Sequence, residues 1–268
     1  MTQNNSTMKK QECEGNQLYI SQFEVVDAKN ISTNELVLLG IISSDKANNL
    51  EKILDSKLHK IDGHNDLLAR IMTIRDLVMP KVPYHNIEHA QSAYEEVKYL
   101  AQKLNIGKEY QQDLEIATQG HDFIVDRNIN FTWTGPVASY KEDNELKSAF
   151  LLMYALKKLG VDNLIGNERI KLIGELVKST KFDRVPTNFY EKTIRDADMN
   201  NLYKSNCLES SVNILGKELY IVPESKVYEA TIGLLSNHKY NMTFKGDTRY
   251  VGINNNLVLA KEKLKSLQ

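Results

Sequence analysis

From Thr33 onward the chain is organised by apolar residues recurring every three or four positions. In "NIEHAQSAYEEVKYLAQKL", Ile87, Ala90, Tyr94, Val97, Ala101 and Leu104 keep that spacing, which is the period of one helix face. Asn86 stands where an N-cap belongs. A second stripe, Leu114, Ala117, His121 and Ile124, predicts a helix from about Glu109 to Phe123. Helical periods follow near 144–159, 167–180, 188–204, 206–220 and 225–238, and the tail "NNLVLAKEKLKSLQ" reads as one more. Strand-like alternation is scarce. The segment "DRNINFTWTGPVASYKED" is expected to be a loop from its Gly, Pro and Asn content. The expected fold is all-α: a compact multi-helix bundle forming a single domain over residues 46–268. Residues 1–45 form an N-terminal extension whose polar start is expected to be frayed.

Composition narrows the class. With 268 residues and 41% hydrophobic content the chain can bury a sizeable core. A net charge of −1 gives no basic excess for nucleic acid or an anionic membrane. Cys13 and Cys207 are far apart with no CxxC pattern, so a reducing setting without a disulfide framework is expected. The first residues have no apolar core of the secretory kind, and the longest apolar run, "LVLLGII", is too short to span a bilayer. A soluble, cytoplasmic protein is expected, with neither nucleic acid nor membrane as partner.

The informative positions are hydrophilic residues on inward helix faces. His121 lies within its stripe, and Asp122 follows it, rotated by about 100°. In "IRDADMNNL", Asp198 shares a face with Ile194, Asn201 and Leu202, while Asp196 falls with Lys192, Met199 and Asn200. Helix phase therefore points Asp198 inward. Glu145 shares its face with Ala149, Leu152 and Leu156. Buried carboxylates are costly unless paired, and no lysine or arginine obviously shares these stripes. A divalent ion would neutralise several at once. Imidazole with carboxylate suits Zn, Fe, Mn or Ni, and two cysteines cannot make a thiolate site.

Taken singly, each of these residues has a plain structural reading as a core histidine with a partner or a capping carboxylate. Their joint occurrence on separate helices, His85 and His89, then His121 and Asp122, then Asp198, points to a metal. His59 and His64 flank "KIDG" and are expected to be solvated. His238 is expected to be a core or half-exposed residue. Trp133 either lines a pocket mouth or anchors its loop. No glycine-rich phosphate loop is present in the sequence.

The order of these groups resembles the HD superfamily of metal-dependent phosphohydrolases, named for an adjacent His-Asp pair, here "GHDF" with His121 and Asp122. "YHNIEHA" is similar to the "YHNxxHA" signature of cyclic nucleotide phosphodiesterases. Four motifs in order, "YHNIEH", "HDFIVD", "NELKSA" and "DADMNNL", resemble a bacterial subgroup of predicted HD phosphohydrolases over about residues 80–215. The resemblance implies an HD-type helical core and one or two divalent ions (Mn, Fe, Zn, Mg or Ni) per site, held by His89, His121, Asp122 and Asp198. It implies hydrolysis of a phosphate ester, expected to be a nucleotide or a related small phosphorylated metabolite. It casts His85 as the general acid and Asp122 as catalytic through the metal. Glu145 would orient a ligand histidine, bind a second metal or hold the attacking water, and Asp126 could serve similarly. The chain has Asp126 where the phosphodiesterases place a second-metal histidine, and Asp183 where the subgroup often has a histidine. Lys181 is a candidate contact to substrate phosphate. Two other readings are a non-catalytic metal- or nucleotide-binding or partner-interaction module, and an HD-type di-iron oxygenase.

Overall fold

The first described helix shows how local chemistry sets the boundaries. Ser32 Oγ accepts from the Glu35 backbone N–H at 3.2 Å, and the Glu35 carboxylate accepts from the Ser32 N–H at 2.7 Å, a reciprocal capping box. This computed structural model describes residues 31–55, 61–132 and 135–268. Three helices come first: α1 (Thr33–Leu38), α2 (Ser44–Leu54) and α3 (His64–Val78). Leu36, Leu50, Ile71 and Ile74 from these helices have no exposed surface and belong to the main core. Ile31, Ile41 and Ile42 join it, so the described part of the sequence before residue 45 is built into the domain core. Residues 1–30 lie outside the described residues.

Helix α4 (Ile87–Lys103) begins at the expected cap, with Asn86 Oδ1 accepting from the backbone N–H groups of Glu88 and His89 at 2.9 and 3.0 Å. Its apolar stripe packs on α5 (Lys108–Gly120), which is buried along its whole second half from Asp113 to Gly120. Helix α5 ends on a glycine for a steric reason. A Cβ on Gly120 would lie 2.7 Å from Leu152 Cδ2 of α6 (Asn144–Lys158). Helix α7 (Asp162–Lys178) breaks at Gly166, whose φ of +77° no ordinary helical residue adopts, so its regular part starts at 167 as the periodicity predicts. Helix α8 (Phe189–Asp198) is capped by Asn188 and tightens into a 3₁₀ turn at Met199–Tyr203. The next helical stretch, Cys207–Glu209 to Gly216–Glu218, widens into a π-type turn over Ser210–Leu215. Helices α9 (Glu224–Asn237) and α10 (Arg249–Ser266) pack on each other. A small second core of Leu202, Cys207, Leu235, Tyr240 and Ile253 joins them to the 3₁₀ turn.

The expected loop after the His-Asp pair is instead a hairpin. Strand β1 (Arg127–Thr132) pairs antiparallel with β2 (Gly135–Tyr140), Arg127 opposite Tyr140. The alternation of Asn128, Ile129, Asn130 and Phe131 has the period of two that makes a strand, hidden by the turn-forming composition around it. Its apolar members are solvent-facing, Phe131 being 85% exposed. Trp133, expected at a pocket mouth or as a loop anchor, lies outside the described residues. The described architecture is mostly helical, with this hairpin as its sheet, and no described helix is long and apolar enough to cross a membrane.

Candidate metal centre

Three helix ends meet at one point: the first turn of α4, the residues just past α5 and the last residue of α8. Asn86 fixes where α4 starts, which puts His89 on the face turned toward α8. His89 Nε2 lies 3.0 Å from Asp198 Oδ1 and 3.3 Å from His121 Nε2. His121 Nε2 is 3.2 Å from both Asp198 Oδ1 and Asp122 Oδ2, and Asp122 Oδ2 is 3.5 Å from His89 Nε2. Each carboxylate oxygen therefore touches both imidazole nitrogens. The atoms of His89, His121 and Asp198 form a group able to hold a metal ion.

The donor set fits such an ion on three counts. First, atoms ligating one ion at about 2.0–2.2 Å stand about 3.0–3.5 Å apart along tetrahedral or octahedral edges, the spacing seen here. Second, the tautomer is set: His121 Nδ1 donates to the Thr118 carbonyl at 2.7 Å, which leaves the Nε2 lone pair facing the cluster. Third, Asp122 Oδ2 is buried without a hydrogen-bond partner among the described residues. Its contacts to the two imidazoles, at 3.2 and 3.5 Å, are contacts of charge, and a cation would satisfy this oxygen.

Electrostatics follow the same layout. Burial opposes charging His121, but Asp122 and Asp198 outweigh it and raise its pKa well above the ordinary value. The reciprocal effect holds Asp122 down at about 2 against its burial, through His121 and His85. Asp198 is lowered further, again against its burial, by His121 and His89. Among the described residues neither aspartate pairs with a lysine or arginine.

His85 stands just before the cap, next to the cluster, its ring 5.5 Å from that of His89. Its partner is a residue that sequence reasoning missed. His85 Nδ1 bonds to Glu218 Oε1 at 2.9 Å. The Glu218 side chain is fully buried and also accepts from the Tyr84 N–H at 2.5 Å, the His85 N–H at 3.2 Å and the Tyr140 hydroxyl at 2.9 Å. Burial works against a charged His85, yet the charge of Asp122 and the bond to Glu218 raise its pKa. The Glu218 pKa is lowered despite burial, chiefly by that bond. The hairpin braces this carboxylate. Besides Tyr140, Arg127 Nη1 donates to the Glu218 carbonyl at 2.5 Å, and the Ala138 N–H donates to the Leu219 carbonyl at 3.0 Å.

The remaining sequence candidates divide. Glu145 is half-buried, and its pKa is raised by burial and by the charges of Asp122 and Asp198, so it sits within reach of the cluster's field without joining the ligand group. Lys181 pairs with Asp183 at 3.6 Å on the outer side, 35% exposed, and its charge is felt by Glu145. Asp126 is not at the centre. It lies between Lys141 and Lys147, at 3.4 and 3.6 Å, on the hairpin side.

Two expectations are corrected here. Asp196 is buried more deeply than Asp198, because the chain after α9 covers the face that helix phase assigned to the outside. Its carboxylate accepts from the Asn241 and Met242 N–H groups and from Asn241 Nδ2, each at 2.8 Å, with Arg249 at 3.5 Å. His64 is not solvated: its Nε2 meets Glu115 at 2.7 Å. The carboxylates of Glu115 and Glu191, like that of Glu218, carried no sequence motif; Glu191 is held by the nearby Thr187, Glu115 and Glu218 by partners distant in the chain. His238 is half-buried against Tyr240, with ring centroids 4.7 Å apart, as expected, and His59 lies outside the described residues. No family model, curated protein or solved structure matches the chain.

Proposed function

We propose that this protein is a metal-dependent hydrolase of phosphate esters, acting on a nucleotide or a related small phosphorylated metabolite, on an HD-type helical core. The observation that carries this reading is the contact of His89 Nε2 and His121 Nε2 with each other and with Asp198 Oδ1 and Asp122 Oδ2 at 3.0–3.5 Å, with no lysine or arginine paired to the aspartates among the described residues. A divalent ion held by these four residues would supply Lewis-acid activation of water and offset phosphoryl charge.

The chain's own residues account for the other requirements. Thr118 commits His121 to one tautomer. His85 is the general acid: Nδ1 is taken by Glu218, so the proton for the leaving oxygen sits on Nε2. Glu218, kept ionised by four donors, holds that ring charged and in place. Glu145, whose charge interacts with those of Asp122, Asp198 and Lys181, is assigned the restraint of a water or a second ion, and Lys181 the contact to an approaching phosphate.

The test is metal analysis of the purified chain followed by a phosphoester and nucleotide screen with the metal found. Stoichiometric metal and turnover, both lost in Asp122→Ala, are expected. Full activity in Asp122→Ala would sink the reading. Metal without turnover on any ester would favour a binding module instead.

A further inference from the structure

Beside His89 lies a cleft of about 220 Å³ that the chemistry above does not use. One wall is the Tyr84–Asn86 turn with the first turns of α4, and the other is the chain from Asn201 to Ser210. His89 belongs to both the cleft and the metal cluster, so the two share a wall. Most of the lining residues are uncharged and polar, with the amides of Asn201 and Asn206 and the hydroxyl of Ser92 set among apolar surface. Two charges face it: Glu88, exposed at the rim, and Lys204, half-buried.

The Lys204 ammonium is placed for a ligand. It donates to Ser92 Oγ at 2.5 Å, and Ser92 passes its own proton to Asn200 Oδ1 at 2.9 Å, so the hydroxyl oxygen faces the lysine as an acceptor. An ammonium has three N–H groups. Ser92 takes one, and among the described residues no carboxylate forms an ion pair with the rest. Burial lowers the Lys204 pKa; Glu96 acts in the opposite direction, its Oε2 accepting from the Tyr203 hydroxyl at 2.6 Å and its Oε1 forming no ion pair with Lys204. Ser92 is three residues beyond His89, so the ammonium lies about one helical turn along α4 from the metal ligand. The cleft is smaller than the roughly 300–1,000 Å³ that encloses a drug-sized ligand, so it suits one fragment of a substrate rather than the whole.

Resting on the hydrolase reading, we infer that this cleft is the subsite for the part of the substrate beyond the scissile phosphoryl, and that Lys204 there binds a second phosphoryl group. The favoured substrate class is then a bisphosphorylated nucleotide or sugar rather than a monophosphate. Lys204 is a specificity-determining residue on this account, and Ser92 positions it.

Calorimetric titration of the full chain with adenosine 5′-monophosphate and adenosine 3′,5′-bisphosphate tests this without relying on turnover. The wild-type chain should bind the bisphosphate about tenfold or more tightly than the monophosphate, the scale of a hydrogen bond to a charged group. Lys204→Met should bring the two within about twofold, Lys204→Arg should keep most of the preference, and Ser92→Ala should lose part of it. If Lys204→Met fails to fold, Lys204→Gln and Ser92→Ala carry the same test. Equal affinities in the wild-type chain, or an undiminished preference in Lys204→Met, overturn the inference. Measuring phosphate release in the same samples separates the two readings. A Lys204-dependent preference without hydrolysis of either nucleotide upholds the subsite and counts against the hydrolase. Hydrolysis without that preference does the reverse.

Discussion

Helix α8 carries two aspartates two residues apart, Asp196 buried and Asp198 half-buried, and they face opposite kinds of surroundings. Asp196 is saturated: two backbone amides, an asparagine amide and the Arg249 guanidinium converge on it. Arg249 is in turn held by Asp247 at 2.8 Å, by the Met242 carbonyl and by the ring of Tyr240 at 4.0 Å. Asp198, by contrast, meets two imidazole nitrogens that also crowd each other and a second carboxylate. In the first cluster the protein supplies the carboxylates with donors and a cation, with only Arg249 Nη1 making a charge contact without a hydrogen bond, and the cluster fastens the C-terminal helices to the core. The second leaves a buried carboxylate oxygen of Asp122 without a donor among the described residues. Burial of charge alone does not mark a functional site; what separates the two clusters is whether the protein itself satisfies the charge.

The largest test of this contrast is Asp198→Ala. It should abolish stoichiometric metal binding and turnover together, read by elemental analysis and phosphate release, while the folded helical signal persists. Loss of metal in Asp196→Ala with retention in Asp198→Ala would break the comparison. Next, Arg249→Met should cost about 3–5 kcal/mol in urea unfolding, because it leaves Asp196 and Asp247 buried without their cation. Metal content should stay unchanged in that variant where it is folded.

Glu218→Gln should lower turnover by about 10- to 100-fold with the metal retained. The sign of its pH effect follows from His85, whose raised pKa keeps the proton donor charged up to higher pH. Activity is lost as pH rises through that value, so removing the Glu218 charge should move the alkaline limb of the rate profile to lower pH. An unmoved limb would mean His85 is not the acid. The smallest effect is expected at His238, whose pKa is lowered to about 4 from 6.5 by burial and then by Arg195 and Arg249. The folded chain resists the proton that the unfolded chain accepts, so stability falls as pH drops from 6.5 toward 4. His238→Gln should flatten that part of a plot of Tm against pH.

The residues that meet in the cluster were legible in the sequence because each lies in or beside a helix whose start or phase is locally encoded: Asn86 caps the helix of His89, and the α5 stripe contains His121. Glu218 was not legible. It meets His85 from 133 positions away, at the end of a helical stretch whose π-type turn shifts the register that a 3.6 period would predict. Asp196 was misassigned for another reason. Phase identifies the face turned to the main core, and cannot show that Asn241 and Met242 later close over the opposite one. In the hairpin, period-two alternation was present and outvoted by turn-forming composition.

The close approach of Gly120 to Leu152 has a meaning for inheritance. A methyl group on the residue before His121 would require the Leu152 side chain of α6 to shift. Gly120→Ala alone should push the histidine off its partners, and a smaller residue at 152 should restore it. The two positions form a suppressor pair, so lineages that enlarge one are expected to have trimmed the other first, and a random screen for revertants of Gly120→Ala should return to codon 152.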